Sequence, residues 1–258
     1  SHQAALDQLL RGIWRGEGFL LLTGDVGTSK TTVCRTLVEQ LGKRVFTALV
    51  SNPFVTQDEL LRVLLLDFGV VSRAESRTSS FTLATQQQLL DTLNEFLLSL
   101  AGVGATAAVI VDEAQNLSPQ LLEGIRLLSN LETDNRKLLQ LLLVGQPELV
   151  ATLEDDGMRQ LRQRIARRLE LTPLSRDEVG QYIAYRLRLA SGERGVVFND
   201  GAIDLSVRVQ QWRAAKANLI CDRSLEAGFQ ALSPSINKNL VLKAAALLDL
   251  AREAVTPT

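Results

Sequence analysis

Short strand-like apolar runs alternate with longer helical patterns over the first two thirds of the chain. Phe19–Thr23, Val45–Val50, Ala107–Val111, Leu138–Val144 and Arg168–Leu171 predict strands. Between them, Thr31–Leu41, Gln57–Phe68, Thr85–Leu100, Pro119–Asn130 and Pro147–Arg164 carry apolar residues at helical spacing, with helix-start signals. Ser118-Pro119 is one such signal: a hydroxyl able to cap the first turn, then a proline whose missing N–H costs nothing there. Strand–helix alternation of this kind implies right-handed βαβ units and a mostly parallel sheet covered on both faces. The serine- and charge-rich Ser72–Ser80 stretch reads as a polar loop.

The pattern changes after Pro173. Ser175–Ala190, Asn199–Gln211, Ala214–Phe229 and Ile236–Ala251 are all helical in spacing, with no strand signal between them. The expected organisation is an α/β core over residues 1–173 and a small all-helical domain over 174–258. The two cysteines, Cys34 and Cys221, lie too far apart in sequence for a metal or disulfide framework, which fits a reducing compartment. Charge is balanced, 28 Lys and Arg against 29 Asp and Glu, which argues against wholesale electrostatic binding of nucleic acid. The single histidine, His2, sits at the start of the chain, so histidine-based catalysis is not expected. No stretch reaches the roughly 18–20 apolar residues of a membrane span. The chain opens on Ser1 and not on Met, which reads as a fragment of something longer, so the missing span says little about the parent protein.

The first strand runs directly into Gly24-Asp25-Val26-Gly27-Thr28-Ser29-Lys30-Thr31-Thr32. Glycine, four residues, glycine, lysine and Ser/Thr is the pattern of a loop whose backbone N–H groups cradle phosphates at a helix N-terminus. This chain supplies all of it except the second glycine, where Ser29 stands. Lys30 is expected to reach the β- and γ-phosphates and Thr31 to ligate Mg²⁺. Ser29 matters because glycine at that place allows unusual backbone angles and close approach to a ligand.

A second constellation follows the strand Ala107–Val111, which ends in Asp112-Glu113. Ligands of parallel α/β sheets sit beyond the carboxyl ends of the strands, where the phosphate loop also lies. Asp112 is placed to hold magnesium and Glu113 to orient and deprotonate an attacking water. Taken alone the pair could be an acidic turn at a helix entry; a phosphate loop upstream favours the site. Gln146, ending the next strand, suits a sensor of the γ-phosphate or, more plainly, a strand-end cap. Among Arg162, Arg164 and Arg167, Arg164 is the choice for an arginine supplied to a neighbouring subunit's nucleotide, although most of this basic run reads as solvated helix face.

These motifs together resemble the general-secretion-pathway A (ExeA-like) ATPases, a bacterial AAA+ family. The likeness is most specific in Gly18–Gly24, Val111–Ser118, Leu128–Thr133, Gly145–Leu149 and Cys221-Asp222-Arg223. It implies a P-loop NTPase core of the AAA+ kind, a three-layer structure around a parallel sheet, with a C-terminal helical lid. It implies ATP and Mg²⁺ as ligands, homo-oligomers with the full site between subunits, and a cytoplasmic domain of an inner-membrane-associated protein. Members of the family help assemble the type II secretion channel with a partner membrane protein. The family usually carries a Ser-Gly-Gly-Pro-Arg-type segment in the lid, where this chain has Gln210–Asn218. Ala215 stands in place of the expected arginine, and neither Lys216 nor Arg213 falls at its spacing. A pair of compensating frameshifts would produce such a segment: CAG CAG TGG CGG GCC GCG AAG, read one base later, encodes Ser-Ser-Gly-Gly-Pro-Arg. Ser29 and Ala215 keep open a nucleotide-dependent scaffold with little hydrolysis, and the arginine run keeps open a DNA-associated transposition regulator of a related AAA+ branch.

Overall fold

A computed structural model of the chain describes residues 2–51, 56–134, 136–172, 175–191, 197–210, 214–231, 233 and 235–247. In chain order the elements are α1 (His2–Trp14), β1 (Phe19–Gly24), α2 (Lys30–Leu41), β2 (Val45–Val50), α3 (Gln57–Asp67), α4 (Ser79–Thr82), α5 (Gln86–Gly102), β3 (Thr106–Val111) and α6 (Pro119–Leu128). There follow β4 (Glu132–Thr133), β5 (Arg136–Lys137), β6 (Leu139–Gly145), α7 (Pro147–Glu154), α8 (Arg159–Arg164) and β7 (Arg167–Leu171). The last are α9 (Arg176–Ser191), β8 (Val197–Phe198), α10 (Asp200–Gln210), α11 (Ala214–Gln230), β9 (Ser235–Ile236) and α12 (Lys238–Leu247). The chain divides into two compact units, residues 1–25 with 30–171, and residues 172–258 with the short segment 26–29.

The first unit is built on a five-stranded sheet in the order β2-β3-β6-β1-β7, every neighbouring pair parallel. Alternate side chains enter opposite layers, as the period of a strand requires. Phe19 and Leu21, Ala107 and Val109, and Leu139, Leu141 and Leu143 pack with leucines of α3, α5 and α6. Their neighbours Leu20 and Leu22, Ala108 and Ile110, and Leu142 and Val144 pack on α1 and α2. Burial on both faces explains why these strands read as continuous apolar runs. Gln140 is the polar exception: it is 1% exposed, and its Oε1 accepts the Gly18 N–H at 2.8 Å.

Helix starts follow local chemistry. Thr56 and Thr85 each form a reciprocal capping box, with Glu59 and Gln88, and Ser118 accepts from the Leu121 N–H. Three readings of this unit from sequence are corrected. The single helix expected over 147–164 is two helices joined by a 3₁₀ turn (Asp156–Met158), because Asp155 leaves helical geometry and its carboxylate accepts the Gly157 N–H at 2.9 Å. The Ser72–Ser80 loop contains a 3₁₀ turn (Glu75–Arg77) and the start of α4. The helix expected to run to Asn130 ends at Leu128, and a small antiparallel ladder, β4 with β5, follows it.

The second unit packs α9 to α12 around Val179, Ile183, Phe198, Ala202, Leu205, Ile220, Ile236 and Val241. It is not all-helical: β8 and β9 form a two-residue parallel pair that brings Phe198 beside Ile236 in this core. Such a pair is too short to leave a periodic signal in the sequence. Gln211, Trp212 and Arg213 lie outside the described residues, as do the side chains at positions 214–219, Ala215 and Lys216 among them.

Candidate functional site

In the sheet, β6 lies between β3 and β1, so the ends of β1, β3 and β6 open on one edge side by side. The 24–32 loop leaves β1, Asp112 and Glu113 leave β3, and Gln146 leaves β6. The loop turns through two left-handed residues, Gly27 at φ 87° and Ser29 at φ 62°. Lys30 opens α2 and is 7% exposed; its Nζ donates to the carbonyls of Gly24 at 2.8 Å and Asp25 at 2.9 Å. Burial lowers the pKa of this ammonium, and the nearby carboxylates of Glu113, Asp112, Asp25 and Glu148 oppose the shift.

Thr31 Oγ1 donates to Asp112 Oδ2 at 2.9 Å, joining the phosphate-loop helix to the end of β3. Asp112 is itself 5% exposed; its Oδ1 accepts the Glu113 N–H at 2.9 Å, and its own N–H donates to Val50 O. Glu113 is left-handed, φ 53° and ψ 36°, which turns the chain sharply out of the strand. The sequence-derived residues Lys30, Thr31, Asp112 and Glu113 thus meet at one place. Thr31 and Asp112 present two hard oxygens side by side, a donor set that suits Mg²⁺, which keeps most of its shell as water and phosphate oxygens.

Gln146 immediately precedes α7 as its N-cap residue, and its side chain makes no capping hydrogen bond. The three arginines are held within the chain: Arg162 donates to Glu154 O, Arg164 to Ser129 Oγ at 3.0 Å, and Arg167 to both carboxylate oxygens of Glu17. Two site residues were not singled out from sequence. Gln115 contacts both Glu113 and the Gln146 N–H. Glu148, in the first turn of α7, adds to the acidic field at Lys30. Neither has a spacing signal of its own, since both act through contacts made only when the strands align.

Two expected results follow from this geometry. Replacing Ser29 with glycine removes about 1–2 kcal/mol of left-handed strain against about 0.5–1 kcal/mol of added chain entropy. Ser29→Gly is therefore expected to raise stability by up to about 1 kcal/mol, read as a higher urea midpoint with unchanged slope; a lower midpoint would contradict it. Burial pushes both Cys34 and Cys221 up to about 12. Since the thiolate is the reactive form, neither should be alkylated at pH 8 in the folded chain, and both should react after denaturation.

A family model described as an AAA domain matches residues 13–153. The chain is 41% identical over 228 residues, 88% of its length, to the general secretion pathway protein A of Aeromonas hydrophila. It spans 40% of that protein. Among solved structures it is similar to Cdc6p from Pyrobaculum aerophilum, TM-score 0.69 at 18% identity over 95% of this chain and 66% of that one. The Aeropyrum pernix ORC2 protein gives 0.67 at 18% identity, with the same coverage of each chain. The Thermotoga maritima RuvB Holliday junction branch migration motor gives 0.63 at 18% identity, over 98% and 70%. These distant likenesses bear on the fold alone, a five-stranded parallel sheet with flanking helices. The chain belongs to the AAA+ ATPases, in the group typified by general secretion pathway protein A.

Proposed function

We propose that this chain is a magnesium-dependent ATPase whose cycle drives assembly of a type II secretion or related cell-envelope complex. The observation that carries the ATPase reading is the Thr31–Asp112 hydrogen bond beside the buried Lys30 ammonium, at the carboxyl edge of a parallel sheet. In this reading the main-chain N–H groups of the 24–32 loop wrap the phosphates, with Lys30 donating to the β- and γ-oxygens in place of its own loop carbonyls. Magnesium, held by Thr31 and Asp112, would neutralise charge on the phosphates. Glu113 accepts a proton from water as the water oxygen bonds to the γ-phosphorus; the bond to the β–γ bridging oxygen breaks and ADP leaves. Gln146 would orient the γ-phosphate, and Arg164 of a neighbouring copy, on leaving its Ser129 hydrogen bond, would reach the developing charge.

The assembly role is inferred from the 41% identity to general secretion pathway protein A. With it come an inner-membrane-associated parent, a membrane partner protein and a homo-oligomeric working state. Among the described residues no helix is long and apolar enough to cross a membrane. The test is phosphate release measured against chain concentration with Mg²⁺ or with EDTA. Release that requires Mg²⁺ and rises more steeply than concentration supports the reading; no release at any concentration opposes hydrolysis.

The left-handed Ser29 favours a second reading, a nucleotide-dependent scaffold with slow turnover, because a strained loop residue can displace the phosphates from attack geometry. Tight ATP binding with negligible phosphate release would select it.

A further inference from the structure

Gln115 has no part in the chemistry above, yet its side chain bridges two strand ends. Its Nε2 donates to Glu113 Oε2 at 2.6 Å, and its Oε1 accepts the Gln146 N–H at 3.1 Å. The bridge has a prepared niche: a Cβ added at Gly145 would lie 2.9 Å from Gln115 Oε1 and 2.8 Å from a Leu149 methyl. β6 thus ends in the one residue type that lets the Gln115 amide pass so close. Glu113 is fixed at its other end as well, where its N–H is held by Asp112 Oδ1 at 2.9 Å. With backbone and carboxylate both tied, Glu113 presents its charge toward Lys30, where it is the largest of the fields opposing the cost of burying that ammonium.

We propose that Gln115 is a positioning residue: it holds the Glu113 carboxylate toward the phosphate loop and ties that orientation to the main chain at the head of α7. Movement of the β6–α7 junction, where Gln146 sits, is then passed to the group that activates water. The proposal rests on the ATPase reading above, with Glu113 as the base. A purely structural role would need only the acceptor, Oε1, which satisfies a part-buried helix-start N–H. The positioning role needs the donor, Nε2, as well.

The two halves separate in two variants of the full chain, compared with wild type and Glu113→Gln for ATP affinity, phosphate release and thermal unfolding. Gln115→Ala loses both bonds; kcat is expected to fall between about tenfold and a hundredfold, from misplacement of the base, with the ATP Kd changed less than about twofold. Gln115→Glu keeps the acceptor for the Gln146 N–H and sets a second carboxylate against Glu113. It therefore loses the donor to Glu113 while retaining the cap, and its kcat is expected to fall at least about tenfold, as for Gln115→Ala. If Gln115→Glu matches wild type while Glu113→Gln is inactive, Gln115 is a cap only and the proposal is overturned with the ATPase reading intact. If wild type fails to hydrolyse ATP, or Glu113→Gln hydrolyses it as fast, the ATPase reading falls and takes the proposal with it. Should Gln115→Ala fail to fold, the kcat of Gln115→Glu decides alone.

Discussion

Replacing Lys30 with alanine is expected to weaken ATP binding at least about a hundredfold, the equivalent of two or more charge-assisted hydrogen bonds lost together. The reason is local. Lys30 is the buried cation of the phosphate loop, and its ammonium already sits among oxygens, donating to the carbonyls of Gly24 and Asp25. Exchanging those acceptors for phosphate oxygens leaves its charge where desolvation has been met, whereas alanine leaves the phosphates to backbone N–H groups alone. Removing the ammonium also removes the positive charge that Asp112 and Glu113 face, so repulsion between a triphosphate and these two acids adds to the loss. Equilibrium titration with a fluorescent ATP analogue checks the affinity, and circular dichroism of the same samples checks the fold. An affinity within a few-fold of wild type would remove Lys30 from the phosphate site.

Glu113→Gln should behave in the opposite way: binding is kept and turnover is lost. Glutamine matches the length and shape of glutamate, so it can still accept from Gln115 Nε2 through its carbonyl oxygen and hold the same turn out of β3. It cannot take a proton from water. Loss of a positioned base typically costs about 10²–10⁴-fold in rate, so phosphate release should fall by that factor while ATP accumulates on the protein. Single-turnover experiments separate the two quantities: ATP retained after rapid removal of free nucleotide supports the assignment, and release at the wild-type rate refutes it.

Most of the first unit could be read directly from the chain because its sheet is buried on both faces, which turns β1, β3 and β6 into apolar runs bounded by turns. The segments beside these strands carry threonine and serine caps that mark where helices begin, at Thr56, Thr85 and Ser118. Sequence pattern carries no signal where structure is set by a few residues. Asp155, Asp156 and Gly157 break a helix whose apolar spacing continues across the break, and β4, β5, β8 and β9 are each two residues long. The chemistry divides in the same manner. Lys30, Thr31, Asp112 and Glu113 carry motifs because each occupies a fixed place in a strand–turn–helix unit. Ser29 could be singled out in advance, since only a left-handed turn makes the absence of glycine matter, and its φ of 62° places it in one. Gln115 could not, because its importance comes from a contact with residue 146 that only the β3–β6 pairing creates.

That pairing also explains the order of the site. The phosphate loop and the acidic pair sit on strands separated by β6, so the Gln146 end of β6 lies between them, and the Thr31–Asp112 bond closes the gap from α2 to β3.

An ATPase of this design must hold a triphosphate at this edge of the sheet. Calorimetric titration of the wild-type chain with ATP at saturating Mg²⁺ measures this directly. Saturable binding of one ATP per chain, weakened when EDTA replaces Mg²⁺, is the expected result; an absence of any saturable binding under those conditions would contradict it.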